Sequence, residues 1–203
     1  MSAVRHESIK LIDRLLEEEL VPGLSVALVD SHGPIWVEGF GVANSRTGTK
    51  VDPETLFRIG SLTKPVTAIA VMQLVADGKI DLDAPLKDQL AGFSIRRHDD
   101  NSPPVTPRQL LSHRSGLPSD LRKGMYTDTP FTKVTTLLHN EYAAYHPDMV
   151  YSYSNIGYDL LGHLVQQRSG MTFADHTEQI LLAPLTMNSS GFILSADKRV
   201  ATS

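Results

Sequence analysis

The strongest constraint in this chain is one run. It opens Phe57-Arg58-Ile59-Gly60-Ser61-Leu62-Thr63-Lys64-Pro65 and continues almost wholly apolar to Val75. Val66, Ile69, Ala70, Gln73 and Leu74 keep helical spacing, while Val71, Met72 and Val75 make the opposite side apolar too. A helix apolar all round is expected to be buried. Ser61 and Lys64 stand together in its first turn, three positions apart and so on one face. Burying an ammonium group is costly unless it is paired or deprotonated. Stability alone does not put a lysine there.

Ser-x-x-Lys by itself says little. The 18 Ser and 8 Lys of the chain give about one such match by chance, and Ser195-Ala196-Asp197-Lys198 is a second one in a polar tail. Context separates the two, because only Ser61 follows a glycine and opens a long apolar segment. The structural alternatives are a helix-capping role for Ser61 and a snorkelling surface amine for Lys64.

The 203 residues suffice for one domain with a core, and 1–203 is read as a single domain. A net charge of −4 removes any electrostatic case for nucleic acid. The absence of Cys excludes disulfides, thiolate metal sites and a cysteine nucleophile. No apolar stretch reaches membrane-spanning length. Residues 1–7 lack the apolar centre of a signal peptide, so the chain as given reads as cytoplasmic, and as periplasmic or secreted if a leader has been removed. His98-Asp99-Asp100 does not read as a metal site, since three adjacent residues do not converge on one ion.

In chain order, residues 7–20 predict an amphipathic helix stopped by Pro22-Gly23. Residues 24–29 and 35–42 predict an antiparallel hairpin around Asp30-Ser31-His32-Gly33-Pro34, and 44–53 a polar loop. Thr106-Pro107 opens a short helix ending at Ser115-Gly116. Residues 118–129 predict a polar rim, and 131–142 a helix with Val134, Leu137 and Leu138 inward. A helix from about Asn155 ends at Gly170, and Gly157 and Gly162 within it predict close packing against another backbone. Thr172 caps a further helix to about Leu182, and the tail from 195 trails off.

An activated serine needs a base within hydrogen-bond reach. Lys64 can serve if its surroundings lower its proton affinity. Tyr153 could relay protons between Lys64, Ser61 and a leaving group, and Asn155 offers a donor and an acceptor to an amide or ester. The structural alternatives are a packing aromatic for Tyr153 and a helix cap for Asn155. Tyr-x-Asn is expected only about 0.15 times by chance from 6 Tyr and 5 Asn. His113 reads as a helix-end residue partnering a carbonyl rather than a triad base, because no Gly-x-Ser-x-Gly elbow exists.

Three segments together resemble the serine β-lactamase-related superfamily: residues 57–65, Leu110-Leu111-Ser112-His113-Arg114-Ser115-Gly116-Leu117, and Tyr151-Ser152-Tyr153-Ser154-Asn155-Ile156-Gly157-Tyr158. Their form is similar to class C β-lactamases, DD-peptidases and β-lactamase-like esterases. The resemblance implies an α+β, β-lactamase/transpeptidase-like fold, with a helical region packed on an antiparallel sheet. It implies Ser61 as the acylated serine, Lys64 as general base, Tyr153 and Asn155 as the second motif, and no metal or cofactor. The implied partner is a small-molecule ester, amide or β-lactam.

Two features depart from the family. Leu185-Thr186-Met187 has Thr where the family usually shows Gly. The third motif, a Lys-Thr-Gly or His-x-Gly strand supplying an oxyanion donor, has no match after Asn155. Losing one such donor costs roughly 10²–10³ in rate. The expectation is therefore the N-terminal portion of a longer hydrolase, with a two-stranded sheet whose unpaired edge favours self-association. The rival reading is a catalytically inactive binding module, or a fragment with no function alone.

Overall fold

The computed structural model describes residues 2–97, 99, 101–121 and 131–193. Most of the 118–129 rim, two residues of the 98–100 loop, and the 195–203 tail with its second Ser-x-x-Lys lie outside them. The architecture is α+β. The chain forms two compact units, Met1–Ile59 with Ile193–Ser203, and Gly60–Phe192.

The first unit is a helix and a small sheet. Helix α1 spans Ser2–Glu17, starting earlier and ending earlier than its periodicity predicts. Its end is set before Pro22: Glu19 takes φ +54°. The N–H groups of Glu19 and Leu20 then close back onto the carbonyls of Leu16 and Leu15. That double closure ends a helix as a glycine would. Strands β1 (Gly23–Asp30) and β2 (Gly33–Asn44) form the expected hairpin, pairing Leu24 with Phe40, Val26 with Glu38 and Leu28 with Trp36. Cross-strand partners share a face, so Leu24, Val26, Leu28, Trp36, Glu38 and Phe40 line one side. Arg5 of α1 reaches that side, donating to Glu38 Oε2 at 2.9 Å and lying 5.5 Å over the Trp36 ring.

The loop after β2 is not wholly irregular. Thr49–Lys50 forms a short β3 against Val42 and Asn44, so the sheet has three strands in the order β1-β2-β3. The turn between them is held by Asn44 Oδ1, which accepts the N–H groups of Arg46 and Thr47. Gly39 makes this return possible, since a Cβ there would lie 2.7 Å from the Val51 backbone.

The second unit is helical. A single turn at Gly60–Leu62 leads into α2 (Thr63–Ala76). There follow α3 (Leu86–Gln89), α4 (Pro107–Leu111), α5 (Val134–Leu138), α6 (Asn155–Ser169) and α7 (Phe173–Thr177), with π-type and 3₁₀ turns to Leu185. The α5 region is thus shorter than predicted, and the last helix loosens after Thr177. Helix α4 has the predicted Thr106 cap and Pro107 in its first turn, and Gln109 makes the cap reciprocal: Gln109 N–H donates to Thr106 Oγ1 and Thr106 N–H to Gln109 Oε1.

The core joins Ala70, Val71 and Leu74 of α2 to Leu160, Leu161, Leu164 and Val165 of α6, with Leu86, Leu90, Leu110, Leu117 and Leu138 around them. The expectation of an α2 buried all round is wrong. Thr67, Ala70, Val71 and Leu74 form one buried stripe, while Ile69 and Met72 are each nearly half exposed. The two α6 glycines meet side chains rather than a backbone. A Cβ on Gly162 would touch the Phe131 ring at 3.3 Å, and one on Gly157 would meet Leu110 and Ser154 at 3.6 Å.

Candidate active site

The stripe that buries α2 also positions Lys64. Residues 64, 67, 71 and 74 fall on one side of the helix at its natural period. Lys64 therefore begins the core-facing stripe and meets the start of α6. Its Nζ donates to Asn155 Oδ1 at 2.7 Å and to Ser61 Oγ at 3.3 Å. The amine is half-buried and paired, not sealed in the core as the sequence suggests, and Ser61 is exposed. The Tyr153 hydroxyl donates to Ser61 Oγ at 2.7 Å. All four sequence-predicted residues come together, although 91 positions separate Lys64 from Asn155.

The alternative structural roles go to other residues. Leu62 occupies the N-cap position of α2, without a side-chain cap bond, so Ser61 is not spent on capping. Ser154 caps α6, its Oγ accepting from Gly157 N–H at 3.0 Å, which leaves Asn155 free for Lys64. Tyr153 keeps 38% of its surface exposed and is no core aromatic.

Electrostatics follow from this packing. Lys64 Nζ lies 4.6 Å over the Tyr153 ring and 5.5 Å over that of Tyr158. The hydrogen bond from Lys64, and then the bond to Ser61, hold the Tyr153 phenol below its ordinary proton affinity. Tyr158, by contrast, is held above it by burial.

Sequence reasoning missed what holds Tyr153 and Asn155 in place. The segment 151–154 and the start of α6 are laced to the segment after α4. Ser152 N–H donates to the His113 carbonyl at 2.8 Å, and Ser154 N–H donates to His113 Nδ1 at 3.1 Å. Ser119 Oγ donates to the Tyr153 carbonyl, Ser154 Oγ to the Pro118 carbonyl at 2.7 Å, and Asn155 N–H to the Ser119 carbonyl at 2.9 Å. Tyr158 donates its hydroxyl to the Leu111 carbonyl at 3.1 Å. His113 thus accepts from a backbone N–H rather than partnering a carbonyl with its ring, which corrects the expectation. The signal was in plain view: the Leu-Leu-Ser-His-Arg-Ser-Gly-Leu segment carries the family resemblance without an assigned role. Gly116 belongs to it for a steric reason, having φ +72° and the Tyr145 backbone where a Cβ would stand.

Among the described residues, no three or more His, Asp or Glu side chains are grouped to hold a metal ion. Among the same residues, no helix is long and apolar enough to cross a membrane.

An antiparallel sheet, a helical unit and a Ser-x-x-Lys/Tyr-x-Asn cluster together define the β-lactamase/transpeptidase-like class. The Beta-lactamase family profile matches residues 9–203, and the chain belongs to that family. It is 32% identical to Esterase EstB of Burkholderia gladioli over 206 residues, covering 94% of this chain and 52% of EstB. Among solved structures it resembles EstCE1, described as a hydrolase with promiscuous acyltransferase activity. The TM-score is 0.81 at 26% identity, over 94% of this chain and 53% of EstCE1. It also resembles an octameric penicillin-binding protein homologue from Pyrococcus abyssi, with a TM-score of 0.75 at 28% identity, over 98% of this chain and 50% of that one. The chain spans about half the length of these relatives.

Proposed function

We propose that this chain carries the nucleophile half of a serine hydrolase that acts on ester or amide carbonyls through an acyl-enzyme. The observation that carries the reading is Ser61 Oγ held between the Tyr153 hydroxyl at 2.7 Å and Lys64 Nζ at 3.3 Å. A hydroxyl flanked by two proton-exchanging groups is an activated nucleophile.

In this reading Ser61 Oγ bonds to the substrate carbonyl carbon while its proton passes to the Lys64–Tyr153 pair. Lys64 is the base and Tyr153 the relay. The same proton goes to the leaving alkoxide or amine as its bond to that carbon breaks. Water then adds to the acyl-enzyme, its proton travels by the same pair, and the acid departs with Ser61 restored. Asn155 Oδ1 orients the lysine, leaving the amide NH₂ to donate to the substrate. No metal or cofactor enters any step.

Within this class we favour esters over β-lactams. The 32% identity to EstB supports that preference. The test compares intact mass after exposure to a penicillin with the release of acid from a p-nitrophenyl ester, with Ser61→Ala as control in both. Ester turnover without a stable penicillin adduct is the expected result. A penicillin adduct with no ester turnover would reverse the substrate assignment.

A further inference from the structure

Helix α4 ends in a way that a glycine normally provides. The N–H groups of His113 and Arg114 close onto the carbonyls of Leu110 and Gln109, and His113 itself takes φ +57°. A side chain in that left-handed conformation is disfavoured relative to glycine. His113 is nevertheless 9% exposed and placed against three tyrosines. Its ring lies 4.5 Å from that of Tyr153, 5.1 Å from Tyr158 and 5.8 Å from Tyr151. Strain at a buried, polar, densely contacted position points to a job for the side chain.

The tautomer follows from one bond. Nδ1 accepts the Ser154 N–H at 3.1 Å, so it carries no proton, and in the neutral ring the proton sits on Nε2. We infer that neutral His113 is a positioning residue: it fixes the 152–154 backbone and the face of Tyr153, and protonation at Nδ1 releases both. The inference rests on the hydrolase reading above for its consequence, because Tyr153 is the group displaced from Ser61.

Protonation would turn Nδ1 from acceptor to donor, leaving two N–H groups opposed. It would also set a cation close to Lys64, whose Nζ lies over the same Tyr153 and Tyr158 rings that His113 packs against. The groups facing His113 are Tyr151 and Tyr153 from the extended segment, Tyr158 from α6 and Lys64 from α2. The neighbouring Arg114–Asp148 pair, at 3.2 Å, is solvent-exposed. Burial, and then Lys64, hold the imidazole below its ordinary proton affinity, so it stays neutral at pH 7 and charges only in more acid solution. The sign is definite: Tyr153 is held at neutral pH and lost as pH falls.

Two variants separate the parts of the argument. His113→Gly suits the backbone and removes the ring. His113→Asn tolerates the left-handed conformation and can place Oδ1 where Nδ1 stood, accepting from Ser154 without titrating. The first readout needs no turnover. Imidazole ¹⁵N spectra of the wild type report the tautomer, and tyrosine ¹³Cζ resonances followed with pH report Tyr153. The expected result is the Nε2–H tautomer, and a Tyr153 shift in step with the His113 titration that vanishes in both variants. Fluorophosphonate labelling should slow roughly 10- to 100-fold in His113→Gly. It should return toward the wild-type rate in His113→Asn, with the acid fall-off moved to lower pH.

An Nδ1–H tautomer, or a Tyr153 resonance blind to the His113 titration, would overturn the inference. The wild-type titration decides this even if His113→Gly does not fold. A silent Tyr153 on a chain whose Ser61 labels would sink this inference alone. A responsive Tyr153 on a chain whose Ser61 never labels would uphold the positioning and sink the hydrolase reading instead.

Discussion

The hydroxyl of Tyr153 lies 2.7 Å from Ser61 Oγ across 92 residues of sequence. The extended segment 151–154 brings it there, and that segment is fixed by hydrogen bonds from 113–119 rather than by membership of a sheet. A group held by that segment and by a ring contact to His113 should respond to small changes in either partner.

Tyr153→Phe keeps the ring against His113 and removes only the relay. Positioned proton transfer is typically worth 10²–10⁴ in rate, so acylation by a p-nitrophenyl ester should fall by about 10² or more. Stopped-flow release of p-nitrophenol measures it. An unchanged burst rate would remove Tyr153 from the chemistry.

Ser154→Ala takes the cap from α6 and the donor from the Pro118 carbonyl. Loss of a serine cap costs about 1 kcal/mol, and the urea midpoint should drop accordingly. Activity should suffer too, because Asn155 is the next residue. A stability loss with full activity would mean that the cap and the site are independent.

Gly39→Ala should destabilise the first unit. The new Cβ would meet the Val51 backbone at 2.7 Å, and overpacking of this kind costs roughly 1–3 kcal/mol. Circular-dichroism melts of the two proteins provide the comparison, and equal midpoints would show that the β2–β3 return has slack.

His176 is 5% exposed, and neither ring nitrogen has a partner among the described residues. Burial, and then the Lys79 charge, hold it below its ordinary proton affinity. The unfolded chain therefore binds more protons than the folded one as pH falls. His176 contributes stability fully above the free imidazole value, about 6.5, and that contribution is lost through the more acid range. Urea midpoints between pH 7.5 and 5 should fall less steeply in His176→Phe than in the wild type. Parallel slopes would remove His176 from the acid response.

Much of this was legible in the sequence because local chemistry dictated it. The β1–β2 hairpin, the Thr106-Pro107 helix start and the Gly170 helix end follow from turn and cap residues a few positions apart. The four site residues were legible because Ser61 and Lys64 share a helix turn and Tyr153 and Asn155 share a segment. The exposed side of α2 was not, since Ile69 and Met72 are as apolar as Val71 and only tertiary contacts distinguish them. The α1 stop was hidden because glutamate, not glycine, takes the left-handed position at residue 19. The work of His113 depends on a bond to a backbone N–H 41 residues away, which no periodicity announces.

The central claim is that Ser61 is an activated nucleophile. The direct measurement is intact mass after incubation with a fluorophosphonate, followed by peptide mapping, on the wild type, Ser61→Ala and Lys64→Ala. The account predicts a single adduct mapped to Ser61, none on Ser61→Ala and far slower labelling of Lys64→Ala. A folded wild type that takes no adduct, or one mapped to another serine, would contradict it.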